Sequence, residues 1–243
     1  MATIAIYSSK GGVGKTTLAV NLAWAAATLS SRRTLLWDLD GQGASSFVLA
    51  PNRKPGKKAS EVIERDVAPA KLIVKTGIAN LDLLPADESL RTLDLLFAEL
   101  GAKKRLQKIA EELAGLYDRI IVDCPPGLGV TADQIIQSAS LIVVPVIPSA
   151  LSMRTADELR QHLSERRKAG PPILTVFNLV DRRRLSHRQA LEAAGDTPVI
   201  PMASAVEQMA ERHAPVSVYA PRSAPAKAIA ALWTGIEKRL AKG

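Results

Sequence analysis

Ser9-Lys10-Gly11-Gly12-Val13-Gly14-Lys15-Thr16-Thr17 follows directly on the apolar run Ile4-Ala5-Ile6-Tyr7. An apolar strand, a glycine-rich turn and a Lys-Thr-Thr that opens a helix have the layout of a phosphate-binding P-loop. Gly11, Gly12 and Gly14 let backbone N–H groups approach phosphate oxygens that a Cβ would hold off. A helix expected over residues 16–29 adds the positive end of its dipole. Lys15 is expected to reach the β- and γ-phosphates and Thr16 to ligate Mg²⁺, with Val13 and Thr17 completing the loop.

The usual spacing G-x-x-x-x-G-K-[ST] puts glycine where this chain has Ser9, and a second lysine, Lys10, opens the loop. Lys-Gly-Gly-Val-Gly-Lys-Thr-Thr resembles the deviant Walker A box of the ParA/MinD family of ATPases. The resemblance implies that Lys10 crosses a dimer interface to the partner's nucleotide. Taken without it, Lys10 is a solvated loop cation.

Two further stretches carry the same resemblance. Thr34-Leu35-Leu36-Trp37 reads as a strand ending in Asp38-Leu39-Asp40-Gly41-Gln42, and ligands of parallel α/β sheets bind at the carboxyl ends of strands. Asp-x-Asp resembles the family's second box, with Gly41 in place of the usual proline. It implies that Asp40 orients or activates the attacking water and that Asp38 supports Mg²⁺ and the dimer interface; the alternative is a turn capping the next helix. Asp118-Arg119-Ile120-Ile121-Val122-Asp123-Cys124-Pro125-Pro126-Gly127 is an apolar strand ending in acid. That is the form of a Walker B element, with Asp123 binding Mg²⁺ through a water. Asp-Cys-Pro-Pro-Gly also matches the family box. Gly127 and Gly129 make a loop able to respond to a γ-phosphate.

Composition narrows the class. With 243 residues, 47% of them hydrophobic, the chain fits one α/β domain with a substantial core. No apolar run approaches a membrane span, and Met1-Ala2-Thr3 leads straight into a strand, so no signal peptide is expected. Cys124 is the single cysteine. It excludes an internal disulfide framework, and it argues against the iron–sulfur ATPases, which need bridging cysteines. A cytoplasmic protein is expected. The net charge of +8 is uneven: residues 1–150 hold 17 Lys/Arg against 15 Asp/Glu, and residues 151–243 hold 15 against 9. A basic half suggests a polyanionic partner, DNA being the commonest, with ordinary surface charge as the alternative.

Elsewhere, residues 51–58 read as an exposed loop, 60–65 as a short helix, and 72–74 with 81–85 as paired strands. Residues 87–100, 103–116 and 153–167 read as helices, and 141–146, 173–177 and 199–201 as strands. Asn178 closes its strand. By resemblance it reads adenine; an Asx turn is the plain alternative. The loop leaving Pro201 is expected to lie over the base. Arg182, Arg183, Arg184 and Arg188 form the densest basic cluster, either a set of DNA-phosphate contacts or a solvated loop. A helix over residues 225–240 presents Ile229, Leu232, Trp233, Ile236 and Leu240 at helical spacing. That stripe is a packing face or, with Lys238, Arg239 and Lys242 on the polar side, a membrane-seeking one.

These readings give residues 1–243 as a single ParA-like P-loop ATPase domain of α/β class, with a doubly wound, mostly parallel sheet flanked by helices on both faces. The resemblance implies an ATP- and Mg²⁺-dependent homodimer that binds DNA non-specifically and associates with the nucleoid in its ATP form. A ParB-like or cargo-adaptor protein would stimulate its hydrolysis. The chain opens directly on its first strand, so the DNA-reading domain of larger ParA proteins is not expected. The alternative is a MinD-like membrane-associated ATPase, but Ala241-Lys242-Gly243 is too short for the amphipathic tail it needs, and no stable membrane anchor is expected.

Overall fold

A computed structural model describes the chain except residues 55, 102, 103, 150, 151, 155, 159, 160, 162–169, 194 and 243. The strands are β1 (Ala2–Ile6), β2 (Thr34–Asp38), β3 (Val74–Lys75), β4 (Leu81–Leu84), β5 (Arg119–Asp123), β6 (Leu141–Val146), β7 (Ile173–Val180) and β8 (Val199–Pro201). They form one sheet in the order β3-β4-β2-β5-β1-β6-β7-β8. The short β3 runs antiparallel to β4, and the other pairings are parallel.

Helices cover both faces, so the central strands are buried throughout and read as unbroken apolar runs. The two-residue alternation sorts their side chains. Ile4, Ile6, Leu36 and Val143 face α1 (Lys15–Leu29), α2 (Ala44–Leu49) and the helix Ala224–Leu240. Ala5, Tyr7, Leu35 and Trp37 face α3 (Ala59–Glu64), α4 (Leu93–Leu100), α5 (Arg105–Leu113) and α6 (Val130–Ser138).

The stripe on the helix Ala224–Leu240 is a packing face. Ile229, Leu232, Trp233 and Ile236 are buried, and Trp233 Nε1 donates to Ser30 Oγ at 2.8 Å. Glu237 accepts a two-pronged contact from Arg119 at 2.8 and 2.9 Å, tying the helix to β5. Its apolar side is therefore not available to a membrane. Among the described residues no helix is long and apolar enough to cross one.

Several elements depart from expectation. Residues 87–100 divide into a 3-10 turn, Glu88–Thr92, and α4; the next helix shortens to α5. The helix expected over 153–167 lies largely outside the described residues. β7 does not stop at residue 177: it continues through Asn178 to Val180 over a register shift, with Leu179 at φ +54°. β1 pairs with β6 only as far as Val143, and its last bond is Tyr7 N–H to the Val143 carbonyl at 3.0 Å. Pro145, which has no N–H, falls beyond that point, so the proline sits where β1 has already left the ladder.

Candidate functional site

Residues 8–14 leave the carboxyl end of β1 and turn into α1. Gly12 (φ +72°) and Gly14 (φ +85°) adopt left-handed conformations that glycine enters without a steric penalty. No side chain caps α1, which leaves its first N–H groups for a ligand. Lys15 is buried, and its Nζ donates to the Lys10 carbonyl at 3.2 Å. Burial lowers its pKa, against the pull of the Asp123 and Asp40 carboxylates.

Asp38 and Asp123 end β2 and β5 as register partners, and both are fully buried. Asp38 Oδ2 accepts from Ser46 N–H (2.8 Å) and Ser46 Oγ (2.7 Å), and its Oδ1 from Asp40 N–H (3.2 Å). Ser45 Oγ donates to Asp123 Oδ2 at 2.7 Å, but Asp123 Oδ1 has no hydrogen-bond partner. Burial, then repulsion from Asp123, pushes Asp38 up to about 8. Burial pushes Asp123 up to about 6; the Ser45 and Thr16 hydroxyls and Lys15 oppose the rise, and Asp40 adds to it.

Two buried carboxylates with an orphaned oxygen are costly unless a cation shares the site. The arrangement fits one, with Asp123 Oδ1 as the free ligand and Thr16 beside it. Both oxygens of Asp38 already have donors, so Asp38 stands behind that position. No group of three or more His, Cys, Asp and Glu side chains among the described residues forms a metal site by itself. A cation here would complete its shell with water or phosphate oxygens, as Mg²⁺ commonly does.

Asp40 is half-buried, and its Oδ1 accepts from Gln42 N–H at 3.0 Å. The glycine that follows has a steric reason. A Cβ on Gly41, proline's included, would fall 2.7 Å from Arg91 N. Cys124 is fully buried, which raises its thiol pKa well above the usual value and fits a core residue rather than a nucleophile.

A cleft of about 520 Å³ opens above the loop. Gly11, Gly12, Gly14, Lys15, Thr16 and Thr17 line one end, Asp40, Gln42 and Pro126 one side, and Leu179, Val206, Met209 and Ala210 the other end. A phosphate-binding end thus faces an apolar one. Four residues expected at the nucleotide lie outside this lining: Lys10, Val13, Asn178 and Pro201. Asn178 is 1% exposed and its Nδ2 donates to the Val13 carbonyl at 2.8 Å, so it braces the loop from below. Pro201 ends β8, and the chain turns there into the short helices Ser204–Glu207 and Met209–Arg212, which supply the apolar end instead. Lys10 points away from the cleft, its Nζ donating to Ser152 Oγ at 3.1 Å. Sequence reasoning missed Ser45, Ser46, Leu179, Val206 and Met209; the Val206/Met209 spacing on one helical side was the available signal.

The basic cluster lies on exposed chain after β7. Arg183 grips Asp181 through Nε and Nη2, both at 2.9 Å, which holds the Asp181 carboxyl down at about 2. Arg184 approaches Asp181 at 4.0 Å, and Arg188 Nη1 donates to the carbonyls of Arg182 and Arg183 at 3.4 and 3.5 Å.

A family model described as AAA domain matches residues 1–175. The chromosome partitioning protein ParA of Caulobacter vibrioides is 31% identical over 194 residues, 75% of this chain and 71% of that protein. The cell division ATPase MinD of Pyrococcus furiosus has the same fold at TM-score 0.81 and 27% identity, over 98% of each chain. Cobyrinic acid a,c-diamide synthase of Mycobacterium smegmatis, solved with an ATP analog and magnesium, matches at TM-score 0.81 and 26% identity, over 99% of this chain and 95% of that one. With its lysine-flanked glycine loop, its paired buried carboxylates and its eight-stranded sheet, the chain belongs to the AAA domain family and, within it, to the ParA/MinD-type P-loop ATPases.

Proposed function

We propose that this protein is an ATP-driven positioning switch. ATP and Mg²⁺ bind at the loop, two subunits close face to face, the dimer binds DNA non-specifically, and a ParB-like or cargo-adaptor protein stimulates hydrolysis. The ADP form then separates and leaves the DNA, so a plasmid, chromosome region or protein cluster is segregated or positioned. The observation that carries the reading is the buried Asp38–Asp123 pair, with its orphaned Asp123 oxygen, beside Lys15 and Thr16.

In this reading Lys15 leaves the Lys10 carbonyl to bind the β- and γ-phosphates. Thr16 and Asp123 hold the cation, and Asp38 keeps that corner rigid through Ser46. A Mg²⁺ held by these residues would supply charge neutralisation at the phosphates. Asp40 orients a water whose oxygen attacks the γ-phosphorus as the bond to the ADP oxygen breaks. Lys10 of each subunit neutralises charge at the other's nucleotide. Catalysis is then positioning and electrostatics. Arg182 and Arg184 meet DNA phosphates, with Arg183 and Arg188 more committed to their own loop.

The test is binding to non-specific duplex DNA with ATP, ADP or no nucleotide at two salt concentrations, alongside Lys15→Ala. ATP-dependent, salt-sensitive binding that Lys15→Ala abolishes is expected. The second reading is a MinD-like membrane-associated ATPase; the likeness to the cell division ATPase MinD of Pyrococcus furiosus supports the MinD side of the family. It gains if DNA binds in no state and liposomes bind with ATP.

A further inference from the structure

α2 stops at Leu49, and the helical donor for the Phe47 carbonyl would be the N–H of residue 51. That residue is Pro51, which has none. The missing bond comes from a second element of the cleft wall. His213 ends the helix Met209–Arg212 in a left-handed turn (φ +47°), and its Nδ1 lies 3.1 Å from the Phe47 carbonyl oxygen. A carbonyl only accepts, so Nδ1 carries the proton and donates. The two rings meet edge to face, with centroids 4.8 Å apart at 67°. The segment carrying His213 is pinned at its root as well. The buried Asn21 of α1 donates from Nδ2 to Met209 Sδ at 3.1 Å and accepts the Val216 N–H at 2.9 Å. Phe47 and the helix Met209–Arg212 both line the nucleotide cleft, yet Phe47 is 55% exposed. An open aromatic ring in a cleft wall, fixed by a neighbour, suits contact with a sugar and base whose phosphates lie on the glycine loop.

We propose that Phe47 is a further nucleotide-contacting residue, packing on the sugar and base, and that His213 is the positioning residue that holds its ring there. This rests on the reading that a nucleotide fills the cleft. The order of residues along α2 agrees with it. Ser45 and Ser46 donate to Asp123 and Asp38 at the cation corner, and the next residue, Phe47, reaches the rest of the cleft. Three successive residues of one short helix thus address both ends of the ligand. Losing the ring removes an apolar contact and should weaken ADP about tenfold. Losing the His213 imidazole leaves the ring and the Phe47 carbonyl unheld and should weaken it about fivefold.

The experiment measures, by isothermal titration calorimetry with Mg²⁺, the binding of ADP and of inorganic triphosphate. It compares wild type with Phe47→Ala, Phe47→Tyr, His213→Gly and the double variant Phe47→Ala with His213→Gly. Triphosphate occupies only the phosphate end, so its binding also shows that the loop is intact. Glycine enters the left-handed conformation freely, so His213→Gly removes the ring and keeps the turn. ADP should bind about tenfold more weakly to Phe47→Ala and about fivefold more weakly to His213→Gly, with triphosphate unchanged in both. Phe47→Tyr, which keeps the ring, should stay near wild type. Because His213 acts through the Phe47 ring, the double variant should lose about tenfold, as Phe47→Ala alone does. Unchanged ADP affinity in Phe47→Ala overturns the contact. Losses that multiply to about 50-fold in the double variant overturn the positioning role. Equal losses for ADP and triphosphate put the effect at the phosphate end and overturn the assignment to sugar and base. A wild type that binds neither ligand overturns the nucleotide reading, and this inference with it.

Discussion

Replacing Asp38 by asparagine should stabilise the metal-free protein at neutral pH, although the side chain is fully buried and makes three hydrogen bonds. Its carboxyl is raised to about 8 in the fold by burial and by Asp123. A carboxyl raised in the fold holds its proton more tightly there than in the unfolded chain. Stability is therefore fully present below the unfolded value near pH 4 and is lost as pH rises through about 8. At pH 7 the solution stands about three units above the ordinary carboxyl value while the buried group keeps its proton, which at about 1.4 kcal/mol each costs about 4 kcal/mol. Asparagine removes that cost. Its carbonyl can still accept from Ser46, but its amide would meet Asp40 N–H and lose that bond, which costs about 2 kcal/mol. The net gain at pH 7 is about 2 kcal/mol, or roughly 4–8 °C in Tm for a chain of this size. At pH 5 only about 1 kcal/mol of carboxyl penalty remains, so the advantage should vanish or reverse. Thermal melts of both proteins in EDTA at pH 5, 6, 7 and 8 test this, and the residual slope of the variant should centre near pH 6, where Asp123 titrates. A variant that melts lower than wild type by the same margin at every pH would refute the reasoning, since hydrogen bonding rather than charge would then dominate the pair.

Other perturbations separate the roles of neighbouring residues. Asp40→Ala should still dimerise with ATP but release phosphate slowly; normal turnover removes Asp40 from the mechanism. Arg182→Ala with Arg184→Ala should lower the slope of log K against log salt for DNA by about two, measured by fluorescence anisotropy. Arg183→Ala should lower it by less than one, because its guanidinium is held on Asp181; equal losses would contradict that pairing. Gly14→Ala puts a methyl 2.2 Å from Asn178 Nδ2 at φ +85°. It should lose ATP affinity and about 1–3 kcal/mol of stability by denaturant titration. Wild-type stability there would mean the loop is looser than its contact with Asn178 implies.

The phosphate end of the site was legible in the sequence because its residues are contiguous and their spacing is dictated by backbone chemistry: the glycines, Lys15 and Thr16 lie on one short turn. Asp38 and Asp123 were legible for a related reason, each closing an apolar run buried on both faces. What supports them was not. Ser45 and Ser46 lie in α2, six residues with neither a strong apolar period nor a capping side chain, and only the fold brings their hydroxyls beneath the carboxylates. Asn178 is expected at adenine, yet its buried amide donates to the Val13 carbonyl, because β7 carries it past the expected strand end. The Lys10–Ser152 contact spans 142 positions and has no local signature. α6 was hidden by the glycines before it; Asp94 on α4 caps it by accepting from Thr131 N–H at 2.7 Å.

The shorter ladder between β1 and β6 bears on how the molecule comes apart. Three register pairs join these strands, against five between β1 and β5, because Ala2 and Thr3 pair with β5 alone. Of the two junctions β1 makes, the one to β6 is therefore the weaker. The cleft straddles it: the glycine loop, Asp40 and Pro126 line one bank, and Leu179, Val206 and Met209 the other. A nucleotide laid across both banks works as a clasp, adding cross-links between them at the carboxyl ends of the strands. Without it β6–β8 is expected to open separately, and with it to melt together with the rest of the sheet. Amide exchange in β7 and β8 should therefore slow more on nucleotide binding than in β2 and β5, making the cooperativity of unfolding itself a property of the ligand.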